Sequence, residues 1–341
     1  MSRIYLDHAA TTPLRPEARA AMEEGFAMWA NPSSPHAEGR KAKAALEDAR
    51  ERCKKALGWE GELIFTSGAS EAAALGLIDA KAEARLVSLI EHDCVLGTVP
   101  DAERLPVGSD GALDLEILAE ATDRERPLIA IQHVNSETGT IQDYEQIAPI
   151  VSAANGLTMA DCAQSVGKLE IPLLADMVIL SAHKFGGPIG VGALLVKAFA
   201  MLKPSGGHER GYRRGTENLP DVMGMAAALE NRAWATTADE RTAFLAKLGA
   251  AWQVIGNQVD YILPLSHPTM SAQALLIRLD AMGFAVSAGS ACSSGTMKPS
   301  RVLQAFGLDE DAARRTIRVS LGWNTTPAEL DAFSAAWDTL S

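Results

Sequence analysis

The sequence predicts an α/β fold, and three observations carry that reading. Strand-like apolar runs alternate with helix-periodic stretches through the first two thirds of the chain. One of those runs, Met177-Val178-Ile179-Leu180, stops abruptly at Ser181-Ala182-His183-Lys184 and a glycine pair. That is the pattern of a buried strand delivering polar side chains to the carboxyl edge of a sheet, where α/β proteins do chemistry. Finally, 341 residues exceed one modest core, so a large domain with a smaller companion is expected.

The elements follow in order. Residues 36–57 repeat Ala42, Ala45, Leu46, Ala49, Cys53, Ala56 and Leu57 at three- and four-residue spacing, with Gly58 as the stop, so this is a helix and Cys53 is core filling. Before it, Asn31-Pro32-Ser33-Ser34-Pro35-His36 is a loop by its prolines and small polar residues. Glu62-Leu63-Ile64-Phe65 is a short strand running into Thr66-Ser67-Gly68-Ala69-Ser70-Glu71 and an alanine-rich helix. A glycine turn at a helix start offers free backbone N–H groups to an anion such as phosphate; the plainer alternative is an ordinary cap by Ser67 or Ser70.

Leu86-Val87-Ser88-Leu89-Ile90 is the next strand, ending at Glu91-His92, a histidine either structural or suited to stacking on a flat cofactor. Leu128-Ile129-Ala130-Ile131 leads to the polar stretch at Asn135, and Leu157-Thr158-Met159-Ala160 leads to Asp161-Cys162-Ala163-Gln164. A carboxylate at the end of a buried strand needs a cation or a donor, and a protonated pyridine nitrogen would serve; a helix cap or an internal ion pair are the alternatives. Lys184, carried to a buried edge, can lose ammonium character by desolvation and form a Schiff base with a carbonyl. Gly190-Val191-Gly192 lacks the third glycine of a dinucleotide loop, so that fold is rejected.

Residues 206–218 are too glycine-rich and charged for a core element and form a functional or interface loop. A helical stretch follows from about residue 220, strand signals return at Tyr261-Ile262-Leu263, and residues 271–282 are helical. Cys292 lies in the small-residue loop Ala288-Gly289-Ser290-Ala291-Cys292-Ser293-Ser294-Gly295. Arg318 alternates within a strand, where a guanidinium can clamp a carboxylate. Thr326-Pro327-Ala328-Glu329 is a capping box opening the last helix, which docks by Leu330, Phe333, Trp337 and Leu340.

Composition limits the partners. A formal net charge of −12 argues against general nucleic-acid binding. No apolar run reaches the ~20 residues needed to span a bilayer, and the first residues lack a signal peptide's apolar core, so a cytoplasmic location away from membranes is expected. The four cysteines show no C-x-x-C pair, so neither a metal site nor a disulfide framework is expected.

Taken in order, the segments from Tyr5-Leu6-Asp7-His8 through Asn31-Pro32, Thr66–Glu71, Asn135–Gly139, Asp161–Ser165, Ser181–Lys184, His208–Asn218, the Cys292 loop and Ile317-Arg318 resemble the cysteine desulfurases of the nitrogen-fixation and iron-sulfur-cluster type, within the class V aminotransferase family of pyridoxal-phosphate enzymes. The resemblance runs nearly end to end. It implies a fold-type-I large domain over residues 15–230 with a mostly parallel seven-stranded sheet. It further implies a smaller α+β domain from residues 1–14 and 231–341 carrying the cysteine loop.

The same resemblance implies that Lys184 bonds pyridoxal 5'-phosphate, Asp161 pairs with its pyridine nitrogen, His92 stacks on its ring, and Asn135 and Gln164 address its phenolic side. Ala69, Ser70, Ser181 and His183 would hold the phosphate, with Thr216 reaching across a homodimer. Arg318, aided by Asn135 and Asn31, would bind the carboxylate of L-cysteine. Cys292 would take the sulfur as a persulfide for a sulfur-acceptor or iron-sulfur scaffold protein. A selenocysteine lyase, a cysteine-sulfinate lyase, a related aminotransferase, or a non-catalytic sulfur-relay scaffold are the alternatives.

Overall fold

The computed structural model describes residues 3–288 and 300–340, so the expectation for Cys292 lies outside the described residues. In chain order the elements begin with β1 (Ile4–Tyr5), α1 (Pro16–Met28), α2 (Ala37–Leu57), β2 (Glu62–Thr66), α3 (Ala69–Asp79) and β3 (Ala84–Ser88). Next come α4 (Asp93–Thr98), β4 (Glu103–Leu105), α5 (Leu115–Ala121), β5 (Pro127–Gln132), α6 (Tyr144–Ala153) and β6 (Leu157–Asp161). They continue with β7 (Met177–Ser181), β8 (Gly192–Val196), α7 (Leu219–Glu230), α8 (Ala238–Leu248), β9 (Ile262–Ser266) and α9 (Ala272–Ala281). The last are β10 (Phe284–Ala285), α10 (Arg301–Ala305), α11 (Glu310–Arg314), β11 (Thr316–Ser320) and α12 (Pro327–Asp338).

A seven-stranded sheet runs β2-β8-β7-β6-β5-β3-β4, parallel throughout except that β8 is antiparallel to both its neighbours. Strands β5, β7 and β8 are buried at every position because both faces of the sheet are covered. Alternate residues divide between two clusters: Val178 and Leu180 pack with α1, α2 and α7, whereas Met177 and Ile179 pack with α3 and α4. The helix over residues 36–57 is α2, capped by His36, which accepts from Gly39 N, and stopped by Gly58 in the left-handed conformation at φ +64. Cys53 is fully buried in it.

A separate apolar cluster is built by residues 244–337 together with Leu6, Ala9 and Val134. It holds the antiparallel pair β9–β11 and the parallel pair β1–β10, with α8, α9 and α12 laid against them. The capping box forms: Thr326 accepts from Glu329 N, and the Glu329 carboxylate accepts from Thr326 N. Phe333 packs edge-on against Phe244 and Phe284.

Three local expectations change. The strand expected through Ile90 ends at Ser88, because Ser88 O and Oγ accept from Glu91 N and Ile90 N and turn the chain there. Neither Ser67 nor Ser70 caps α3; the cap position is Gly68 at φ +151, with no side-chain cap bond. The loop over residues 206–218 is not wholly surface: Glu209 is buried, accepting from Arg50 at 2.7 and 3.1 Å and from Phe65 N at 2.9 Å.

Candidate active site

The carboxyl ends of β3, β5, β6 and β7 face the start of α3 across a cavity of about 440 Å³. That volume lies within the ordinary range for small-ligand sites. Gly68, Ala69, Ser70, His92, Asp161, Gln164, Ser181, His183 and Lys184 all line it, and the start of α3 abuts the end of β7, since a Cβ at Gly68 would stand 3.4 Å from Ser181 Oγ. Strand geometry explains the convergence. In parallel neighbours the C-terminal residues emerge at one edge: Gln132 and Asp161, the last residues of β5 and β6, pair directly, and Ser181 ends β7 two residues beyond Ile179, the partner of Asp161.

Each polar group in the wall has a defined state. Lys184 Nζ donates to the carbonyl oxygens of Ala9 (2.7 Å) and Ala10 (2.8 Å). Burial, reinforced by the Arg318 charge, lowers its pKa to about 8. Asp161 is buried and accepts from Ala163 N at 2.9 Å. Desolvation raises its pKa, while that N–H and the nearby His92 and Lys184 oppose the rise. His183 Nδ1 lies 3.1 Å from Thr11 Oγ1, and burial with the Lys184 and Lys168 charges lowers its pKa to about 4, leaving the ring neutral. Gln164 Nε2 donates to Ala9 O at 2.9 Å, and its Oε1 is buried without a hydrogen-bond partner among the described residues.

The start of α3 is shaped for an anion. An α-helix of eleven residues begins at Ala69 with no side chain in the cap, so its first backbone N–H groups and dipole face the cavity. Gly192 in β8 lets the turn sit this close: a Cβ there would stand 2.4 Å from Leu180 O and 2.7 Å from Gly68 Cα. Glu71 fixes the turn by accepting from Ser67 N at 2.5 Å and from Arg213 Nε at 2.8 Å.

Residues 4–333 match the sequence profile of the aminotransferase class-V family. The chain belongs to that family. It is 36% identical to a cysteine desulfurase of Cereibacter sphaeroides over 97% of this chain and 94% of that protein. It is 33% identical to the cysteine desulfurase IscS of Dictyoglomus turgidum, covering 96% and 92% of the two chains. Among solved structures, a NifS-like protein superposes with a TM-score of 0.89 at 30% identity over 99% of each chain. SspA in complex with cysteine superposes with 0.83 at 31% identity, covering 95% of this chain and all of that one.

Other expected members of the site do not line the cavity in the single chain, although Arg318 backs its wall at Ser136. Arg318 is buried, donating to Ser136 O (2.9 Å) and Asp7 Oδ1 (2.9 Å), with its Nε unpartnered among the described residues. The Asn135 side chain shapes its own loop, with Oδ1 accepting from Glu137 N (2.8 Å) and Thr138 N (2.9 Å). Asn31 is exposed and caps Ser33 N at 2.8 Å; Thr216 is exposed on the loop that Glu209 anchors. His92 caps α4, its Nδ1 accepting from Cys94 N at 3.1 Å, and the residue lies in the cavity wall.

Several wall residues escaped the sequence reading. Cys94 lines the cavity, as do Gln132, Val134 and Ser136. Position was the available signal for Cys94, two residues past a strand-end histidine. Burial and the Asp161 charge push its thiol up to about 12. The backbone carbonyls of Ala9 and Ala10 carry no side-chain signal at all. Among the described residues no cluster suits a metal ion, and no helix is long and apolar enough to cross a membrane.

Proposed function

We propose that the protein is a cysteine desulfurase that binds pyridoxal 5'-phosphate, takes L-cysteine, and releases alanine while passing the sulfur to Cys292 and onward to an acceptor protein. The observation that carries this reading is the single cavity in which an amine of lowered pKa, a buried carboxylate and an open helix N-terminus face one another. A family of pyridoxal-phosphate enzymes and relatives named cysteine desulfurase support it. The residues fit the group: the helix start suits its phosphate, Asp161 suits a ring N–H⁺, and the unpartnered Gln164 amide oxygen leaves a polar atom in the wall for the ring's substituents.

When bound, pyridoxal phosphate supplies an aldehyde that takes up amines and a protonated ring that withdraws electrons from the adjoining carbon. In our assignment the Lys184 amine would hold the cofactor through its aldehyde and, when not so engaged, would remove the proton from the substrate's Cα. Asp161 would accept from a protonated ring nitrogen, and His92 would cover the ring. Asn135 and Gln164 serve the phenolic side, Asn135 by holding its loop in place. Ala69, Ser70, Ser181 and His183 hold the phosphate, and Thr216 completes it from the partner subunit of a homodimer. Arg318, held by Asp7 and Ser136, takes the substrate carboxylate on the side that Asn135 and Asn31 shape.

The Cys292 thiolate attacks the substrate sulfur. An S–S bond forms as the Cβ–S bond breaks with its electron pair left on carbon, which protonation turns into the methyl group of alanine. The product on the protein is a persulfide, suited to a sulfur acceptor or an iron-sulfur scaffold. We further propose two domains, residues 15–230 and residues 1–14 with 231–341; the packing of Leu6 and Ala9 with residues 244–337 supports it. Incubation with L-cysteine should yield alanine and, with a reductant, sulfide, from a protein with a visible cofactor band. A colourless protein forming no alanine would favour a scaffold without catalysis.

A further inference from the structure

We propose that Arg301 is a positioning residue for His92, gripping from the C-terminal segment the turn that presents the imidazole to the cavity. The inference rests on the reading of this cavity as the active site.

Three acceptors bring the guanidinium to one turn. Arg301 Nη1 donates to Leu89 O, and Nη2 donates to Glu91 O at 2.8 Å and approaches Asp93 Oδ1 at 3.5 Å. These residues bracket His92 on both sides. The histidine has little freedom of its own, because Nδ1 is fixed by Cys94 N at 3.1 Å and its carbonyl accepts from Val95 N at 2.9 Å. Whatever sets the backbone of residues 89–93 therefore sets the ring.

Packing brings the arginine to that place. Val302 of α10 and Phe306 at its C-cap share an apolar cluster with Ile90, within the gripped turn, and with Ile255. Ser300 caps α10 by accepting from Leu303 N at 3.1 Å while donating to Glu137 Oε2 at 2.5 Å. The helix start is thus pinned to the large sheet's rim by one apolar and one polar contact, and Arg301 extends from it over the turn. A guanidinium suits the task because its planar fork sends Nη1 to Leu89 O and Nη2 to Glu91 O in fixed, separate directions, whereas an ammonium donates from one nitrogen.

The test is the ¹H–¹³C spectrum of the full-length protein labelled at histidine Cε1, recorded as purified and again after cofactor removal. Seven histidines give few peaks, and His92→Asn assigns the one that matters. Arg301→Gln should displace the His92 peak in both samples and lower kcat per bound cofactor by about tenfold, the scale of a slightly misplaced group. Arg301→Lys, which retains one of the contacts, should fall between. Ser300→Ala removes one of the two contacts that pin the start of α10, so it should lower the melting temperature and move the His92 peak in the same direction as Arg301→Gln but by less.

A His92 peak in Arg301→Gln that coincides with the wild type overturns the proposal. If Arg301→Gln moves every histidine peak, the fold itself has changed and Arg301→Lys decides: a displaced His92 peak upholds the assignment and an unmoved one ends it. The cofactor-free spectrum answers the question even for a protein that binds no pyridoxal phosphate, so failure of the site reading and failure of the Arg301 assignment remain distinct.

Discussion

Lys184 Nζ and Gln164 Nε2 converge on one acceptor, the carbonyl oxygen of Ala9, at 2.7 and 2.9 Å. Ala9 is itself fixed, its N–H donating to Ser320 Oγ at 2.8 Å at the end of β11. The N-terminal segment thereby ties the ends of β6 and β7 to the C-terminal sheet. In this arrangement the amine is held by two carbonyls, so taking up a cofactor requires exchanging those hydrogen bonds for a covalent bond.

The lowered pKa of Lys184 gives that exchange a pH dependence. Burial and the Arg318 charge disfavour the ammonium, so the neutral amine that attacks an aldehyde predominates above about pH 8 rather than only above the ordinary 10.5. The rate at which cofactor-free protein takes up pyridoxal phosphate should rise through about pH 8 and level off beyond it. Borohydride reduction followed by peptide mapping should label Lys184, and Lys184→Arg should abolish the label. A label on another lysine, or uptake still climbing steeply past pH 9.5, would remove Lys184 from its role.

Arg50 and Glu209 form a buried pair, their side chains 3% and 1% exposed, in which Arg50 also donates to Leu63 O at 2.7 Å. Removing one partner leaves the other charge buried alone, at a cost of about 3–5 kcal/mol. Glu209→Gln and Arg50→Met should each show that loss in urea denaturation, and the double variant should lose less than the sum. Because Glu209 anchors the loop over residues 206–218, Glu209→Gln should also weaken cofactor retention. Unchanged retention with full loss of stability would separate that loop from the phosphate site.

Thr216 is exposed in the single chain and does not line its own cavity, although Arg213 of the same loop bonds the cavity residue Glu71 at 2.8 Å. If it completes the partner's phosphate site, sedimentation should give a dimer at working concentration, since closed two-fold assemblies dominate among homo-oligomers. Thr216→Ala should weaken pyridoxal phosphate binding more than binding of pyridoxal, which lacks the phosphate. A monomer that keeps its cofactor contradicts both statements.

Elements with strong local signals were legible in the sequence. The apolar runs of β5, β6 and β7, the periodicity of α2 and the capping box of α12 each combine propensity, pattern and a stop or start residue that agree. The edge-of-sheet residues Asp161, Ser181, His183 and Lys184 were legible for the same reason, since a buried strand fixes where its last residue emerges. What stayed hidden depends on contacts between distant segments. No local pattern announces that Ala9 O receives Lys184, that Glu209 meets Arg50 across 159 positions, or that Arg301 reaches back to Leu89 and Glu91. The end of β3 was misjudged because Ile90 is apolar for a different cluster, beside Val302 and Phe306, rather than for the sheet.

The cysteines separate sulfur chemistry from cofactor chemistry. Cys53 is fully buried, and burial pushes its thiol up to about 12; Cys162 is fully buried and raised for the same reason. Cys94 faces the cavity, yet burial and the Asp161 carboxylate hold it protonated as well. At neutral pH none of the three presents the thiolate that attacks sulfur. Cys292→Ala should therefore keep the cofactor band and still bind L-cysteine while losing alanine formation. Cys94→Ala should keep turnover within about threefold of wild type, because a protonated thiol neither attacks nor accepts sulfur. Cys53→Ala should cost on the order of 1 kcal/mol in stability and leave turnover per folded molecule intact. Mass spectrometry after incubation with L-cysteine and no acceptor should find the added sulfur on the Cys292 peptide. Added sulfur on the Cys94 peptide, or undiminished alanine release from Cys292→Ala, would transfer the nucleophile's role to the cavity wall or remove covalent sulfur transfer from the reaction.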